Sequence, residues 1–318
     1  MARAQEGARS PGPRREGEAL RQARAKLVLR DRAMERGMKE TATISNILSI
    51  DLEDWYHGIF SLNYRWDGLE ERVAQSTTRV LDILDEKGVK ATFFVLAVVA
   101  ERNPDLVRLV ASRGHEIGTH GYSHRLISEM SPERFADDVQ RSVDVIGSIT
   151  GKPILGYRAP AFSVTLNTPW IFTILKEKGF RYDASVFPTR NPLYGIPGAH
   201  RFPHKVKGVE GFVEVPGSTV RILGRNIPVC GGFYLRAAPY GFTRWAVRRI
   251  NAEGSPAVVY VHPWDFDPDQ PRPRVTVREA LTHYFNLAAL EAKFRRLLDE
   301  FPFSPACSLL DDPLVEKG

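Results

Sequence analysis

Strand and helix patterns alternate along most of this 318-residue chain, and the alternation limits the folds that it can adopt. Short apolar runs such as "ATFFVLA" at 91–97 indicate buried strands. Segments such as "STTRVLDILDEKGVK" at 76–90 have apolar residues at helical spacing and a glycine stop. Strands connected through helices pair in parallel. The pattern therefore predicts an α/β fold with a parallel sheet, either a barrel or a doubly wound sheet.

Two stretches depart from the alternation. Residues 186–240 are rich in glycine and proline, and short alternating stretches such as "GFVEVPGSTV" predict an extra β-hairpin and loop insertion there. Residues 1–43 are rich in Arg, Glu and Gly and poor in aromatic residues, a composition that cannot bury a core. We expect residues 1–43 to be a disordered or spuriously translated extension, followed by one domain over residues 44–310.

The distribution of charge argues against binding of nucleic acid. The net charge is +6, but residues 1–40 hold eleven Lys or Arg against six Asp or Glu, so the predicted domain is close to neutral. The N-terminus shows no signal peptide, and the longest apolar run, at 91–100, is shorter than the roughly 20 residues of a membrane span. We expect a cytoplasmic protein without a transmembrane segment, and peripheral attachment to the inner membrane stays open.

Polar side chains cluster where predicted strands end. Active sites of parallel α/β folds are built at the carboxyl ends of the strands. The clusters are "DLED" at 51–54, "HGYSH" at 120–124, "RAP" at 158–160 and "HPWD" at 262–265. Their shared position predicts one active site that draws on all of them.

Two histidines in these clusters suit a metal ion. His120 and His124 are four apart, a spacing that can place two imidazoles on one ion. His200 and His204 have the same spacing, but Pro203 forbids a regular helical turn, so we assign that pair to structure or surface. Two imidazoles and one carboxylate form a three-ligand site for zinc or a similar divalent ion, with room for water and substrate.

The acids after the first strand can complete such a site. Asp51, Glu53 and Asp54 crowd one strand end, where carboxylates repel unless a cation or proton relieves them. A solvated turn or a helix N-cap is the other interpretation of these acids. A second carboxylate could accept a proton from water, Arg158 could hold that base ionised, and His262 could protonate a leaving group. These residues fit metal-assisted hydrolysis of an acyl bond.

The order of these motifs resembles that of the polysaccharide deacetylase family, carbohydrate esterase family 4. The branch that accompanies bacterial exopolysaccharide gene clusters is the most similar, and further signatures of that branch are "GGFYLR" and "HYFNL". The resemblance implies a distorted (β/α) barrel and a deacetylase-like catalytic domain at 44–310. The matching motifs, in chain order, are "SIDLEDW", "HGYSH", "YRAPAFS", "YDASVFP" and "VVYVHPWDFDP".

The resemblance also implies roles for individual residues. His120 and His124 would bind the metal, zinc in our expectation, and the third ligand would be Glu53 or Asp54. Gly121 departs from the serine or threonine that the family usually has there. The catalytic set would be Asp51 as base, Arg158 orienting it, His262 as general acid and Asp183 supporting His262.

The implied activity is removal of N-acetyl groups from amino sugars of a polysaccharide or its lipid-linked oligosaccharide precursor, in exopolysaccharide biosynthesis. Two alternatives stay open. One is hydrolysis of another carbon–nitrogen amide bond in a small molecule, and the other is an inactive carbohydrate-binding relative. Trp55 and Trp264 flank the acid and histidine motifs, where they could line a sugar pocket or pack in the core.

Overall fold

A curled, mostly parallel sheet runs through the computed structural model, which describes residues 44–62, 64–191, 194–310, 312 and 315–317. The expected extension at 1–43 lies outside the described residues. The strands are β1 (Asn46–Leu52), β2 (Thr92–Val95), β3 (Glu116–Thr119), β4 (Gly156–Tyr157), β5 (Tyr182–Asp183), β6 (His204–Lys205), β7 (Val213–Glu214), β8 (Thr219–Ile222), β9 (Arg225–Pro228), β10 (Val258–Val261), β11 (Phe303–Ser304) and β12 (Glu316–Lys317).

The strand order confirms the predicted fold class. The sheet runs β10-β1-β2-β3-β4-β5-β7-β6-β12, and β11 pairs with β1. Pairs along this path are parallel, except that β6 and β7 are antiparallel. The result is a distorted, open (β/α) barrel whose strands β1 to β5 and β10 bring their carboxyl ends to one rim.

Helices cover the outside of the sheet, and their ends follow local sequence signals. The helix α1 ends at Gly88, whose φ of 64° terminates it in the left-handed region. The helix α4 begins after Ser131, whose side chain accepts from the Arg134 N–H, and ends at Gly151. The helices are α1 (Val73–Lys87), α2 (Ala97–Arg102), α3 (Pro104–Ser112), α4 (Pro132–Thr150), α5 (Trp170–Glu177), α6 (Gly232–Ala237), α7 (Tyr240–Ala252), α8 (Val277–Tyr284) and α9 (Leu290–Glu300).

The strand β1 is buried on both faces, as expected for a central parallel strand. Leu48, Ile50 and Leu52 belong to the core between sheet and helices. Ile47 packs with Phe94 in a separate apolar cluster inside the barrel. Because side chains alternate along a strand, the odd-numbered residues of β1 face the barrel interior. That face carries Asp51 toward the rim.

The predicted insertion is present. The strands β8 and β9 form an antiparallel hairpin that is separate from the main sheet. Within the described part of the chain, no helix combines the length and the apolar character that crossing a bilayer requires.

Candidate functional site

The three acids at and just after the end of β1 divide between two environments. Asp51 and Glu53 are both 2% exposed. Asp54 points elsewhere: one carboxylate oxygen accepts from the Trp55 N–H at 2.8 Å, and the other accepts from the N–H groups of Arg72 and Val73 at 2.8 and 3.0 Å. Asp54 therefore caps helical turns, and its oxygens are already occupied. Burial raises the pKa of this carboxyl to about 6, although the backbone hydrogen bonds oppose the shift.

The two predicted histidines lie on a turn after β3. This turn is not helical, because Gly121 and His124 have φ values of 78° and 54°. The carboxylate of Asp138 on α4 holds the turn by accepting from the N–H of Tyr122 at 2.8 Å and the N–H of Ser123 at 3.2 Å. Gly121 therefore occupies a position where a side chain would strain the backbone.

Glu53, His120 and His124 converge on one point. The Oε2 of Glu53 lies 2.7 Å from Nε2 of His124 and 3.8 Å from Nε2 of His120. One nitrogen or oxygen atom from each residue lies within 4.8 Å of the others, and this is the one such group found among the described residues. The Nδ1 of His120 lies 2.9 Å from the Arg158 carbonyl oxygen, so Nδ1 carries the proton and Nε2 has a free lone pair.

These three donors fit a divalent metal ion. The Oε2 of Glu53 is buried and accepts no hydrogen bond of normal geometry from any residue that the structure describes. Burial lowers the pKa of His120 to about 4, which keeps the imidazole neutral. Burial opposes ionisation of Glu53, but the neighbouring imidazoles, His124 foremost, hold the pKa of this carboxyl well below its usual range. A carboxylate and neutral imidazoles are the forms that ligate zinc.

Asp51 lies beside this group and is fixed by Arg158. One guanidinium nitrogen donates to Oδ1 of Asp51 at 2.8 Å and to the Ser49 hydroxyl at 2.7 Å. The Nε of Arg158 donates to the Ala184 carbonyl at 3.0 Å. The other Asp51 oxygen lies 4.0 Å from Nε2 of His262. The buried guanidinium therefore sets the orientation of the carboxylate.

His262 follows β10 and lines one cavity together with Asp51 and Glu53. Its Nε2 lies 3.9 Å from Glu53, and its Nδ1 lies 3.0 Å from Oδ2 of Asp265. Asp265 is fully buried and forms an ion pair with Nε of Arg236 at 3.0 Å. Burial alone would lower the pKa of His262, but the hydrogen bond and charge of Asp265 raise it above its ordinary value.

Asp183 does not occupy the place expected for it. Its carboxylate accepts from the Ser185 hydroxyl and contacts the buried carboxyl of Glu214. The expectation that it supports His262 is wrong, because the helical turn after His262 brings Asp265 back within hydrogen-bonding distance of the imidazole. Sequence reasoning missed Asp265, although it lies inside the quoted "HPWD" cluster.

The Asp183–Glu214 pair predicts a pH dependence of stability. Burial and the charge of Asp183 raise the pKa of Glu214 well above its ordinary value, so folding favours its protonated form. Stability from this group is complete below its unfolded pKa and is lost as the pH rises through its folded pKa. Thermal melts from pH 5 to 8 should show the Tm of Glu214→Gln rising relative to the unmodified chain. A constant difference would contradict this assignment.

Trp264 forms a wall of the cavity. Its indole stacks between the imidazoles of His262 and His283, at centroid distances of 4.5 and 4.1 Å. Its Nε1 donates to Oε1 of Glu53 at 3.2 Å. Trp55, in contrast, is buried in the core and donates to the Glu70 carbonyl. Of the two tryptophans considered from sequence, Trp264 lines the cavity.

Residues of the two sequence signatures "GGFYLR" and "HYFNL" stabilise the region around Trp264 and His262. The guanidinium of Arg236, from "GGFYLR", donates to the carbonyls of Thr282, His283 and Phe285 at 2.7–2.9 Å. His283, from "HYFNL", lies 2.9 Å from the Gln270 side-chain oxygen. Arg236 and His283 were noted in sequence only as members of signatures, since neither matches a spacing rule. The structure links both to the environment of His262.

The cavity has a volume of about 210 Å³. The polar residues at its base are Asp51, Glu53, His120, His124 and His262. Its walls include the side chains of Phe162, Tyr194, Phe233, Tyr260 and Trp264. The second pair of histidines with this spacing, His200 and His204, lies outside this cavity, and each Nδ1 contacts the Phe202 carbonyl.

Two family profiles match adjoining parts of the chain. A polysaccharide deacetylase profile matches residues 66–182, and a profile for a domain of unknown function (DUF3473) matches residues 184–311. The first region contains His120, His124 and Arg158, and the second contains His262 and Asp265. The cavity is therefore built from both regions, with acids contributed by the preceding strand.

Curated relatives and a solved structure agree with these profiles. The chain is 33% identical over 118 residues to the peptidoglycan deacetylase-like protein FGM2 of Gibberella zeae, covering 36% of this chain and 34% of that protein. A peptidoglycan-N-acetylglucosamine deacetylase of Bacillus cereus is 33% identical over 75 residues, or 24% of this chain and 27% of its own length. The chain thus spans about a third or less of these relatives.

The fold is shared with a solved structure from Mycobacterium smegmatis that is described as a polysaccharide deacetylase. The TM-score is 0.57 at 19% identity, over 86% of this chain and 94% of the other. At this identity the likeness concerns the fold alone. The adjoining profile matches, together with the motif order, identify the chain as a member of the polysaccharide deacetylase family that carries a DUF3473 region.

Proposed function

We propose that this protein is a divalent metal-dependent hydrolase, zinc being the expected metal, that removes N-acetyl groups from amino sugars of a polysaccharide. The convergence of Glu53, His120 and His124 beside Asp51 and His262 is the observation that carries the proposal. The relatives named as peptidoglycan deacetylases support amide hydrolysis on an N-acetylated glycan over hydrolysis of a small-molecule amide. We extend the proposal to a lipid-linked precursor and to exopolysaccharide biosynthesis.

Glu53, His120 and His124 would hold the ion in this proposal. The ion, when bound, would polarise the amide carbonyl and make a water molecule more acidic. Asp54 has no part in this set, because its two oxygens cap helical turns.

Asp51 serves as the general base. Its carboxylate takes a proton from the attacking water as the water oxygen bonds to the amide carbon. Arg158 holds Asp51 in place through a 2.8 Å ion pair. The other oxygen of Asp51 lies 4.0 Å from Nε2 of His262, and both residues line the same cavity.

His262 serves as the general acid. It donates a proton to the amide nitrogen as the carbon–nitrogen bond breaks, which releases acetate and the free amine of the sugar. Asp265 favours the protonated imidazole and fixes its orientation. Trp264 and Tyr260 give the cavity apolar walls suited to the acetyl group and to a sugar face.

Acetate release tests this function. The full chain, loaded with zinc, should release acetate and expose free amines on N-acetylated oligosaccharides, and His120→Ala should lose that activity. A panel of small cyclic and linear amides separates the glycan hydrolase from the small-amide alternative. Equal activity of His120→Ala, or glycan binding without any acetate release, would overturn the proposal.

Asp265→Asn tests the positioning of His262. The substitution removes the charge that favours the imidazolium, so we expect kcat to fall roughly 10²-fold while KM changes little. Asp267→Asn is the matched control: that carboxylate pairs with Arg72 at 2.6 Å, and we expect near-normal kcat. A loss confined to KM, or equal losses in both variants, would contradict the role of Asp265.

A further inference from the structure

The turn of the β8–β9 hairpin exposes a leucine in an unfavourable conformation. Ile222 pairs with Arg225, which leaves Leu223 and Gly224 as a two-residue turn. Both have positive φ values, 47° and 77°, as in a type I′ turn. Asparagine or glycine is preferred at the first position, whereas a bulky side chain there is strained. Leu223 is nevertheless present and is 98% exposed.

A basic groove adjoins this turn. Its volume is about 850 Å³, and it is lined by four arginines and by no Asp or Glu among the described residues. One of them, Arg201, pairs with Glu253 at 2.8 Å. Arg190, Arg221 and Arg225 are exposed, and no carboxylate within the described ranges lies within ion-pair distance of them. Among the residues that the structure describes, three guanidinium groups of the groove therefore have no ion-pair partner.

We propose that the hairpin turn and this groove bind the surface of an anionic phospholipid bilayer. Leu223 enters the interface, and the arginines contact headgroup phosphates. Guanidinium groups match phosphate oxygens with paired hydrogen bonds. Each arginine near an anionic surface strengthens binding by about fivefold. Arginines beside an exposed apolar residue are the combination found on segments that lie in a membrane interface.

The leucine distinguishes a lipid surface from a soluble anion. A groove for a dissolved phosphate would use the arginines alone, and it would gain nothing from an apolar residue held at a strained turn. The second strand of the hairpin ends five residues before Phe233, which lines the catalytic cavity. Membrane binding here would hold that cavity near the bilayer. The consequence for a lipid-linked glycan rests on the proposed function, whereas the membrane binding does not.

Vesicle sedimentation of the full chain tests the proposal. One set of vesicles contains phosphatidylcholine alone, and the other contains three parts phosphatidylcholine to one part phosphatidylglycerol. We expect binding to the anionic vesicles only, weakened roughly tenfold by Leu223→Asn. The double variant Arg221→Gln/Arg225→Gln should weaken binding by roughly 25-fold. Because asparagine suits this turn, Leu223→Asn should keep or raise the Tm, which separates lost binding from misfolding.

Matched controls come from the same chain. Leu166 is 74% exposed on a loop elsewhere, and Arg248 is an exposed arginine on α7, so Leu166→Asn and Arg248→Gln should leave vesicle binding unchanged. Deacetylation of a soluble oligosaccharide is measured separately and should be equal in all variants. Vesicle binding that persists in the hairpin variants would overturn the proposal. The proposal would also be overturned if the chain bound inorganic phosphate but no vesicles, and if Leu223→Asn left the phosphate binding unchanged.

Discussion

Glu53→Gln is expected to abolish stoichiometric metal binding and to lower acetate release by at least about 10³-fold. The amide keeps the size of the side chain but removes the negative charge that two neutral imidazoles cannot replace. A metal ion bound there would supply several kcal/mol of transition-state stabilisation, which corresponds to this loss of rate. Metal per chain is measured by elemental analysis after zinc loading and gel filtration, and acetate is measured on the same samples.

Asp54→Asn is the control for this variant. Asp54 neighbours Glu53 in sequence, but its oxygens accept from the N–H groups of Trp55, Arg72 and Val73. Its substitution should lower the free energy of unfolding by about 1 kcal/mol, whereas the metal content per chain and the acetate release should not change. If Asp54→Asn lost the metal and Glu53→Gln retained it, Asp54 would be the ligand, and the assignment of Glu53 would be wrong.

Asp51→Asn should show the second large effect, a fall in kcat of roughly 10²- to 10⁴-fold with one metal ion still bound per chain. The amide cannot take a proton from water, yet it retains an oxygen that can accept from Arg158. Because Asp51 stands outside the Glu53, His120 and His124 group, metal content should not change.

Ser49→Ala controls for disturbance of Arg158. The Ser49 hydroxyl accepts from the same guanidinium nitrogen as Asp51, at 2.7 Å. Its removal should reduce kcat far less than Asp51→Asn does. If Asp51→Asn lost the metal, Asp51 would be a ligand and not the base. If the variant kept full activity, another group would be the base.

Much of the architecture follows from patterns that are local in sequence. The alternation of strands and helices led to the curled parallel sheet, and the glycine stop at Gly88 ends α1 where expected. Period-two alternation along β1 places Asp51 on the barrel interior. These features depend on neighbours within a few residues, so a sequence specifies them directly.

The choice between Glu53 and Asp54 depends on distant contacts. The strand ends at Leu52, so alternation no longer determines which way the next side chains point. Asp54 is drawn toward N–H groups of Arg72 and Val73, 18 and 19 residues away in the chain. No spacing rule reveals that cap. Glu53 is then the acid left facing the histidines.

The partner of His262 was missed for a similar reason. The fourth family motif pointed to Asp183, but that carboxyl pairs with Glu214, which lies 31 residues further along the chain and matches no motif. Asp265 reaches His262 through a short helical turn, which in turn depends on the buried ion pair with Arg236. Three chain segments define this environment, so local sequence does not.

Anomalous X-ray diffraction at the zinc edge, from crystals of the zinc-loaded chain, shows directly whether Glu53, His120 and His124 hold one ion beside Asp51 and His262. We predict one strong peak with Oε2 of Glu53 and Nε2 of both histidines at zinc-ligand distances of about 2.0–2.2 Å. A peak at His200 and His204, or no peak in this cavity, would contradict the account.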